Sequence, residues 1–339
     1  MKYTVIVVNY NKGKYIKKCL DSIMNQTNNS FNVIIVDDGS TDNSRSIINM
    51  YKKYNNVSVY FKKNTGVSDS RNFAINKVKT QYFLFVDSDD YVVENLLEEC
   101  NKYTDFDVLS FNNYLVSNKG KVEKDIPKPE LVCTNGEFVL KKFIDNKCLF
   151  LVPWGYIYKT SFFRKNKLKY KVGYVHEDVD LTTMALLKSS KTLSIDFYGY
   201  YYVLSDDSIM RNSNYEKMQL RVRSILYHFD NLKEYFINNI DDNNLRDSFL
   251  EYYSQLLLYT GHDLKRRWRK AYSKELKKRK IYKYMYKRSK INYIKRLMCK
   301  HSFMLYFDIY PIFSKVYYFL ANIYYFIRRL CGVDNEKSK

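Results

Sequence analysis

The sequence predicts an α/β protein: a doubly wound, mostly parallel sheet with helices on both faces, followed by a C-terminal helical appendage. Three observations carry this reading. Short apolar runs rich in β-branched residues recur at Thr4–Val8, Val33–Val36, Val57–Phe61 and Tyr82–Val86. Helix-period segments separate them, and from Tyr215 onward the pattern is helical throughout. Short runs that are apolar on both faces suit parallel strands buried between layers. Strand–helix alternation then closes through right-handed crossovers.

Each element has a local reason. Between the first two runs, Tyr15, Ile16, Cys19, Leu20, Ile23 and Met24 share one helical face. Thr41-Asp42 opens a second helix over Asn43–Tyr54, and Ser68 or Asp69 caps a third that ends near Lys77. After Asp90 the alternation loosens. A helix at Glu94–Lys102 precedes a strand at Val108–Asn112, and a polar loop follows with Pro127 and Pro129. Gly136–Asn146 reads as helix. Trp154–Lys159 and Tyr198–Leu204 read as extended, flanking a helix at Val179–Lys188. The expected boundary lies near Asn212. It gives an α/β domain over 1–212, with halves 1–112 and 113–212, and a basic helical region over 213–339.

Composition narrows the class. The chain has 339 residues, 46% of them hydrophobic, which supports a substantial core. The formal charge is +21. It concentrates from Lys265 to Lys300, where Glu275 is the only acid among closely spaced Lys and Arg. Such a block seeks phosphates on lipid headgroups, nucleic acid or acidic glycans, and it also fits a solvated helical face. The six cysteines form no C-x-x-C pair, so they read as reduced, buried thiols. The N-terminus enters a strand directly, without a signal-peptide pattern.

The chemistry gathers at strand ends, where open α/β sheets bind ligands. Asn9-Tyr10-Asn11 follows the first run and Asp37-Asp38-Gly39-Ser40 the second. Asn64-Thr65-Gly66 follows the third and Asp87-Ser88-Asp89-Asp90 the fourth. Singly, such acids serve as turn formers or caps. Five carboxylates converging from two loops repel and call for a divalent counterion. The Asp87-Ser88-Asp89 spacing suits a hard cation that leaves positions open for diphosphate oxygens.

In order and spacing, VIVVNYN (5–11), DDGSTD (37–42), NTGVSDSRN (64–72) and DSDD (87–90) resemble family 2 glycosyltransferases of the GT-A fold. The resemblance is close over residues 1–112, looser over 113–212, and absent beyond. It implies an inverting, metal-dependent transferase that uses Mn2+ or Mg2+. The substrates implied are a nucleotide-sugar donor, most simply a UDP-sugar, and a lipid-linked cell-surface glycan acceptor. It also implies residue roles. Asn9, Tyr10, Asp37, Asp38, Gly66, Arg71, Asp87 and Ser88 would bind the nucleotide sugar, with Tyr10 on the base and Asp38 at its N3–H. Arg71 would reach the diphosphate, and Asp89 with Asp87 would hold the metal. Arg71 lies one helical turn after Val67, near a helix N-terminus that favours anions; the alternative is an ordinary surface ion pair.

Downstream, His176-Glu177-Asp178 precedes a helix. The resemblance places the general base here: Asp178 first, Glu177 second. Asp178 also fits a plain N-cap, and His176 fits a hydrogen-bonding neighbour near the acceptor. Trp154 matches a segment beside the acceptor pocket and fits a core aromatic equally well. Tyr200 through Ile209 aligns with a further family segment. Relatives often carry Arg there, where this chain has Val203 or Ser205.

Phe303 to Cys331 is apolar and aromatic but broken by Asp308, Pro311 and Lys315, so it is no membrane span. Beside the basic block it reads as an interfacial anchor, placing the protein in the cytoplasm, peripheral at the inner face of the cell membrane. A nucleic-acid partner is not expected, because no helix-turn-helix, zinc-finger or RNP-type pattern is present. An inactive nucleotide-sugar-binding module is disfavoured by intact Asp38, Arg71, Asp89 and Asp178.

Overall fold

The computed structural model describes residues 1–204, 215–285 and 290–312. The strands are β1 Tyr3–Asn9, β2 Phe31–Asp37, β3 Val57–Phe61, β4 Tyr82–Phe85 and β5 Tyr91–Val92, then β6 Val108–Val116, β7 Val122–Lys124, β8 Leu131–Thr134, β9 Tyr156–Lys159 and β10 Thr192–Val203. The helices of the same region are α1 Ile16–Met24, α2 Ser44–Asn49, α3 Val67–Lys77, α4 Leu96–Asn101, α5 Gly136–Asp145, α6 Thr160–Lys165 and α7 Glu177–Lys188. There follow α8 Tyr215–Asn239, α9 Asn243–Asp263, α10 Arg266–Lys278 and α11 Lys290–His301.

One sheet runs β3-β2-β1-β4-β9-β6-β10-β5, with β7 on β6 and β8 on β10. The first four strands are parallel throughout. Beyond β4, antiparallel β9 lies between β4 and β6, and β10 pairs parallel to β6. The chain steps from β1 to β2 and β3, then returns to β4 on the other side of β1. That reversal creates a switch point at the carboxyl ends of β1 and β4, where such sheets bind ligands.

The expected strands and helices are present, with informative differences. β3 is not buried on both faces, because it forms the sheet edge beside β2. The second helix gives way after Asn49 to one 3-10 turn, Met50–Lys53. The N-cap of α3 is Gly66 rather than Ser68 or Asp69. Its φ of +94° lies in the region that favours glycine. The proline-bearing loop contains two short strands, β7 and β8. Cys19, Cys100, Cys148 and Cys299 are buried as expected, whereas Cys133 is exposed.

The core of the sheet region joins α1 residues Ile16, Cys19, Leu20 and Ile23 to Val5, Val7, Val33 and Ile35 and to Tyr82, Leu84 and Tyr200. Chain contacts divide the molecule into two units, Met1–Leu232 and Lys233–Lys339. In the second, Phe249, Tyr253, Leu257, Tyr272, Leu276 and Phe307 are buried. α10 turns Tyr272 and Leu276 inward and leaves Arg267, Lys270, Lys274 and Lys278 exposed. Among the described residues no helix is long and apolar enough to cross a membrane. The aromatic segment beyond residue 312, and Ser205 to Ile209, lie outside the described residues.

Candidate functional site

The five strand-end carboxylates do not converge. Asp37 is fully buried and receives Asn9 Nδ2 (3.1 Å), the Ser40 backbone N–H (3.1 Å) and Arg45 Nε (2.8 Å). Against the cost of burial, these bonds from Ser40, Arg45 and Asn9 hold its carboxyl below the usual range. Asp38 is 2% exposed. Its oxygens accept from the backbone N–H groups of Thr65 (3.0 Å) and Gly66 (2.9 Å) and from Ser70 Oγ (2.8 Å). Asp38 is thus held by its own loop, fixing the turn that leads into α3.

Asp90 is likewise internal. It accepts from Tyr200 Oη (2.7 Å) and the Val203 N–H (2.8 Å). Burial, with Asp87 and Asp89 nearby, pushes its carboxyl well up. Two partly exposed acids remain, Asp87 and Asp89. Burial raises the Asp87 carboxyl, Arg71 offsets part of that, and Asp89 adds repulsion. Lys12 Nζ sits 2.7 Å from Asp89 Oδ2, a cation already drawn to this pair. Ser88 between them is buried. Among the described residues no group of three or more His, Cys, Asp or Glu is arranged to enclose a metal. An open pair whose charges repel nevertheless fits a cation shared with a ligand's oxygens.

Arg71 connects this strand end to the downstream motif. It is 6% exposed on α3. Its Nη2 donates to Asp87 Oδ1 (3.1 Å) and its Nη1 to Glu177 Oε1. Burial opposes its charge, but Asp87 and Glu177 outweigh that and raise its pKa. The ordinary-ion-pair reading holds to this extent, but the pair is internal and joins two motif acids across the sheet ends.

Glu177 and Asp178 occupy the first turn of α7, whose N-cap is His176 in the left-handed region (φ 56°). Asp178 is therefore not the cap, although its Oδ1 accepts the neighbouring Val179 N–H (3.0 Å). It is half-buried. Burial, then the charge of Glu177, push its carboxyl up to about 8, with Arg71 opposing. Burial and the nearby Arg221 push the His176 imidazole down to about 4, so it is neutral near pH 7.

Other expected residues divide. Tyr10 is 45% exposed after β1 and free to lie against a planar ring. Asn9 is buried and orients Asp37 and Ser40. Gly66 faces open space: a Cβ there would meet nothing within 4 Å. Trp154 offers no acceptor platform. It is 2% exposed and stacks on Tyr200 at 4.5 Å with the rings 6° apart, so it is core.

Sequence reasoning missed the support of the Asp178 loop. Ser224 and His228 of α8, both fully buried, bind opposite sides of Val175. Val175 N–H donates to Ser224 Oγ (3.0 Å), and His228 Nε2 donates to the Val175 carbonyl (3.1 Å). Arg223 Nη2 donates to the Gly173 carbonyl (3.0 Å), and Asn231 Nδ2 reaches Asp180 (2.9 Å). A helical run some fifty residues downstream carries no local sign of such a partnership. Lys12 was missed as well, although a cation directly after Asn9-Tyr10-Asn11 is a local signal.

The model for "Glycosyl transferase family 2" matches residues 4–170. A poly(ribitol-phosphate) beta-glucosyltransferase of Bacillus spizizenii is 36% identical, over 61% of this chain and 33% of the relative. The poly(ribitol-phosphate) beta-N-acetylglucosaminyltransferase TarP of Staphylococcus aureus is 32% identical, over 60% and 63%. Glycosyltransferase GlyG of Streptococcus pneumoniae is 30% identical, over 61% and 72%. This chain thus spans about a third of the Bacillus protein and under two thirds of TarP. The fold is shared with S. aureus TarS 1–349, at a TM-score of 0.58 and 23% identity over 92% of this chain and 91% of that one. Matching the family model over residues 4–170 and covering 72% of a glycosyltransferase to which it is 30% identical, the chain belongs to glycosyl transferase family 2.

Proposed function

We propose that this chain is an inverting glycosyltransferase that moves a hexose or N-acetylhexosamine from a UDP-sugar onto a cell-surface polymer, lipid-linked during its assembly. The observation that carries the reading is the cluster Asp87–Arg71–Glu177 with Asp178 beside it, a half-buried carboxylate of raised basicity. The Bacillus and TarP relatives, both poly(ribitol-phosphate) glycosyltransferases, support a wall-polymer acceptor. A TarS structure described as a complex with UDP-GlcNAc supports the donor class.

In this mechanism Asp178 accepts the proton of the acceptor hydroxyl as that oxygen bonds to the anomeric carbon. The bond from the anomeric carbon to the diphosphate oxygen breaks on the opposite face, and its electron pair leaves with UDP. Glu177 holds Arg71, and Arg71 offers positive charge beside Asp87 where the diphosphate would lie. Tyr10 stacks on the base, and Asp38 shapes the loop at Gly66. Asp87 and Asp89 would hold Mn2+ or Mg2+, which neutralises the leaving diphosphate. His176, neutral, is a hydrogen-bonding group at the acceptor side.

A peripheral position at the inner face of the cell membrane, within reach of a lipid-linked acceptor, is part of this proposal, and the basic run Lys265 to Lys300 supports it. The test of the reaction is turnover of UDP-, GDP- and CDP-sugars, with and without Mn2+, with the product anomer assigned by NMR. A β-linked product from an α-linked UDP-sugar is expected. A retained anomer, or preference for a GDP-sugar, overturns the mechanism or the donor assignment respectively.

A further inference from the structure

β10 has a register shift between Tyr198 and Tyr200, and beyond it successive side chains go to opposite faces. Tyr200 enters the core against Trp154, and Tyr201 takes the other face. There Tyr91, Tyr201 and Tyr114 stand on neighbouring strands as register partners. Their rings stack at 4.4 Å and 4.9 Å, and Tyr198 extends the row at 5.1 Å from Tyr114. All four are half-buried. Rings stacked this way cover one another's faces and leave their edges; of the four hydroxyls, that of Tyr198 donates to the Asp125 carbonyl (3.2 Å).

Cations flank the row. Lys18 Nζ lies 3.5 Å from the Tyr91 ring centre, and Lys124 Nζ lies 4.6 Å from that of Tyr198. Of the neighbouring acids, Glu123 is paired with Lys121, and Asp125 and Asp196 accept from the neutral amides of Asn113 and Asn112. At the Tyr91 end the row meets a cavity of about 490 Å³ whose walls include Lys14, Lys18, Ser117 and Asp89.

We propose that this tyrosine row and its flanking lysines form a track for a linear, phosphate-bearing polyol or glycan chain that leads into the cavity beside Asp89. Three features select that occupant. Phenol hydroxyls donate to phosphate and hydroxyl oxygens, and ammonium groups at the ends supply complementary charge. A neutral glycan would be better served by open ring faces, which stacking has used up. The same covering leaves no platform for a nucleobase, which argues against single-stranded nucleic acid. Continuity with Asp89 makes the occupant an acceptor, and this identification rests on the proposed glycosyl transfer.

The experiment is calorimetric binding to the full chain, with a synthetic ribitol-phosphate oligomer and a neutral glucan oligosaccharide of equal length as probes. Lys18 and Lys124 are exposed, so charge reversal leaves packing intact. K18E/K124E is expected to weaken the oligomer tenfold or more, to flatten its salt dependence, and to leave UDP affinity unchanged. Tyr114→Phe/Tyr201→Phe keeps the stacking and removes two hydroxyls. It is expected to weaken the oligomer roughly fivefold, which a purely structural row would not produce. The proposal is overturned if the wild type does not bind the oligomer, if the glucan binds equally well, or if K18E/K124E binds as the wild type does. Lysine-dependent oligomer binding without any UDP-sugar turnover would support the track and sink the glycosyl-transfer reading.

Discussion

Asp178 combines two properties a general base needs: access and basicity. Asp178→Asn is expected to bind UDP normally and to lose about 10²–10⁴-fold in kcat. The sign of its pH dependence follows from the raised carboxyl. The group is protonated and inactive below about 8 and ionised above it, so kcat/KM of the free enzyme rises with pH through that value. A profile flat from pH 6 to 9 would remove Asp178 from the base role. Asp89 makes a separate prediction. Asp89→Asn should keep the fold and lose most turnover, because an amide is a poorer ligand for a hard cation than a carboxylate. Unchanged activity of that variant, or indifference of the wild type to EDTA, would exclude the metal role.

At the scale of elements, α8 serves α7. Ser224 and His228 grip both polar groups of Val175, immediately before the left-handed His176 turn and the Glu177-Asp178 pair. A backbone held on both sides fixes the position of Asp178, as the proposed proton transfer would require. Ser224→Ala removes one bond, worth about 1 kcal/mol of local order. It is expected to lower kcat several-fold with KM for the donor unchanged. His228→Gln, which retains a donor, should retain more activity than His228→Leu. Equal losses in both would reduce His228 to core packing.

For the whole molecule, charge is the distinguishing quantity. α10 presents Arg267, Lys270, Lys274 and Lys278 to solvent over a buried Tyr272 and Leu276. Each cation near an anionic leaflet adds about 1 kcal/mol. Reversing these four to Glu should therefore weaken sedimentation with anionic vesicles at least 10²-fold on that scale. Added salt should weaken the wild type similarly, since screening acts over about 10 Å at 0.1 M. Equal binding to neutral vesicles would leave the apolar segment as the only anchor. A shift of RNA instead of vesicles would assign the basic block to nucleic acid.

Sequence by itself determined the elements and the order of the motifs. A parallel strand between layers is a short apolar run, and a loop at its carboxyl end is polar, so both are written locally. That is why β1, β2, β4, α1 and the Asp87–Asp90 turn were legible residue by residue. Position in the sheet was not local, so β3 was misjudged as buried when it lies at the edge. Which carboxylates face the ligand was also not local. Asp37, Asp38 and Asp90 look equivalent to Asp87 and Asp89 in a string of letters, yet Arg45, the Thr65–Ser70 loop and Tyr200 claim them. Trp154 became core only because Tyr200 stacks upon it. Tertiary structure alone decided these matters, because a buried polar group must find its partner wherever the fold brings one, and those partners lie up to a hundred or more residues away.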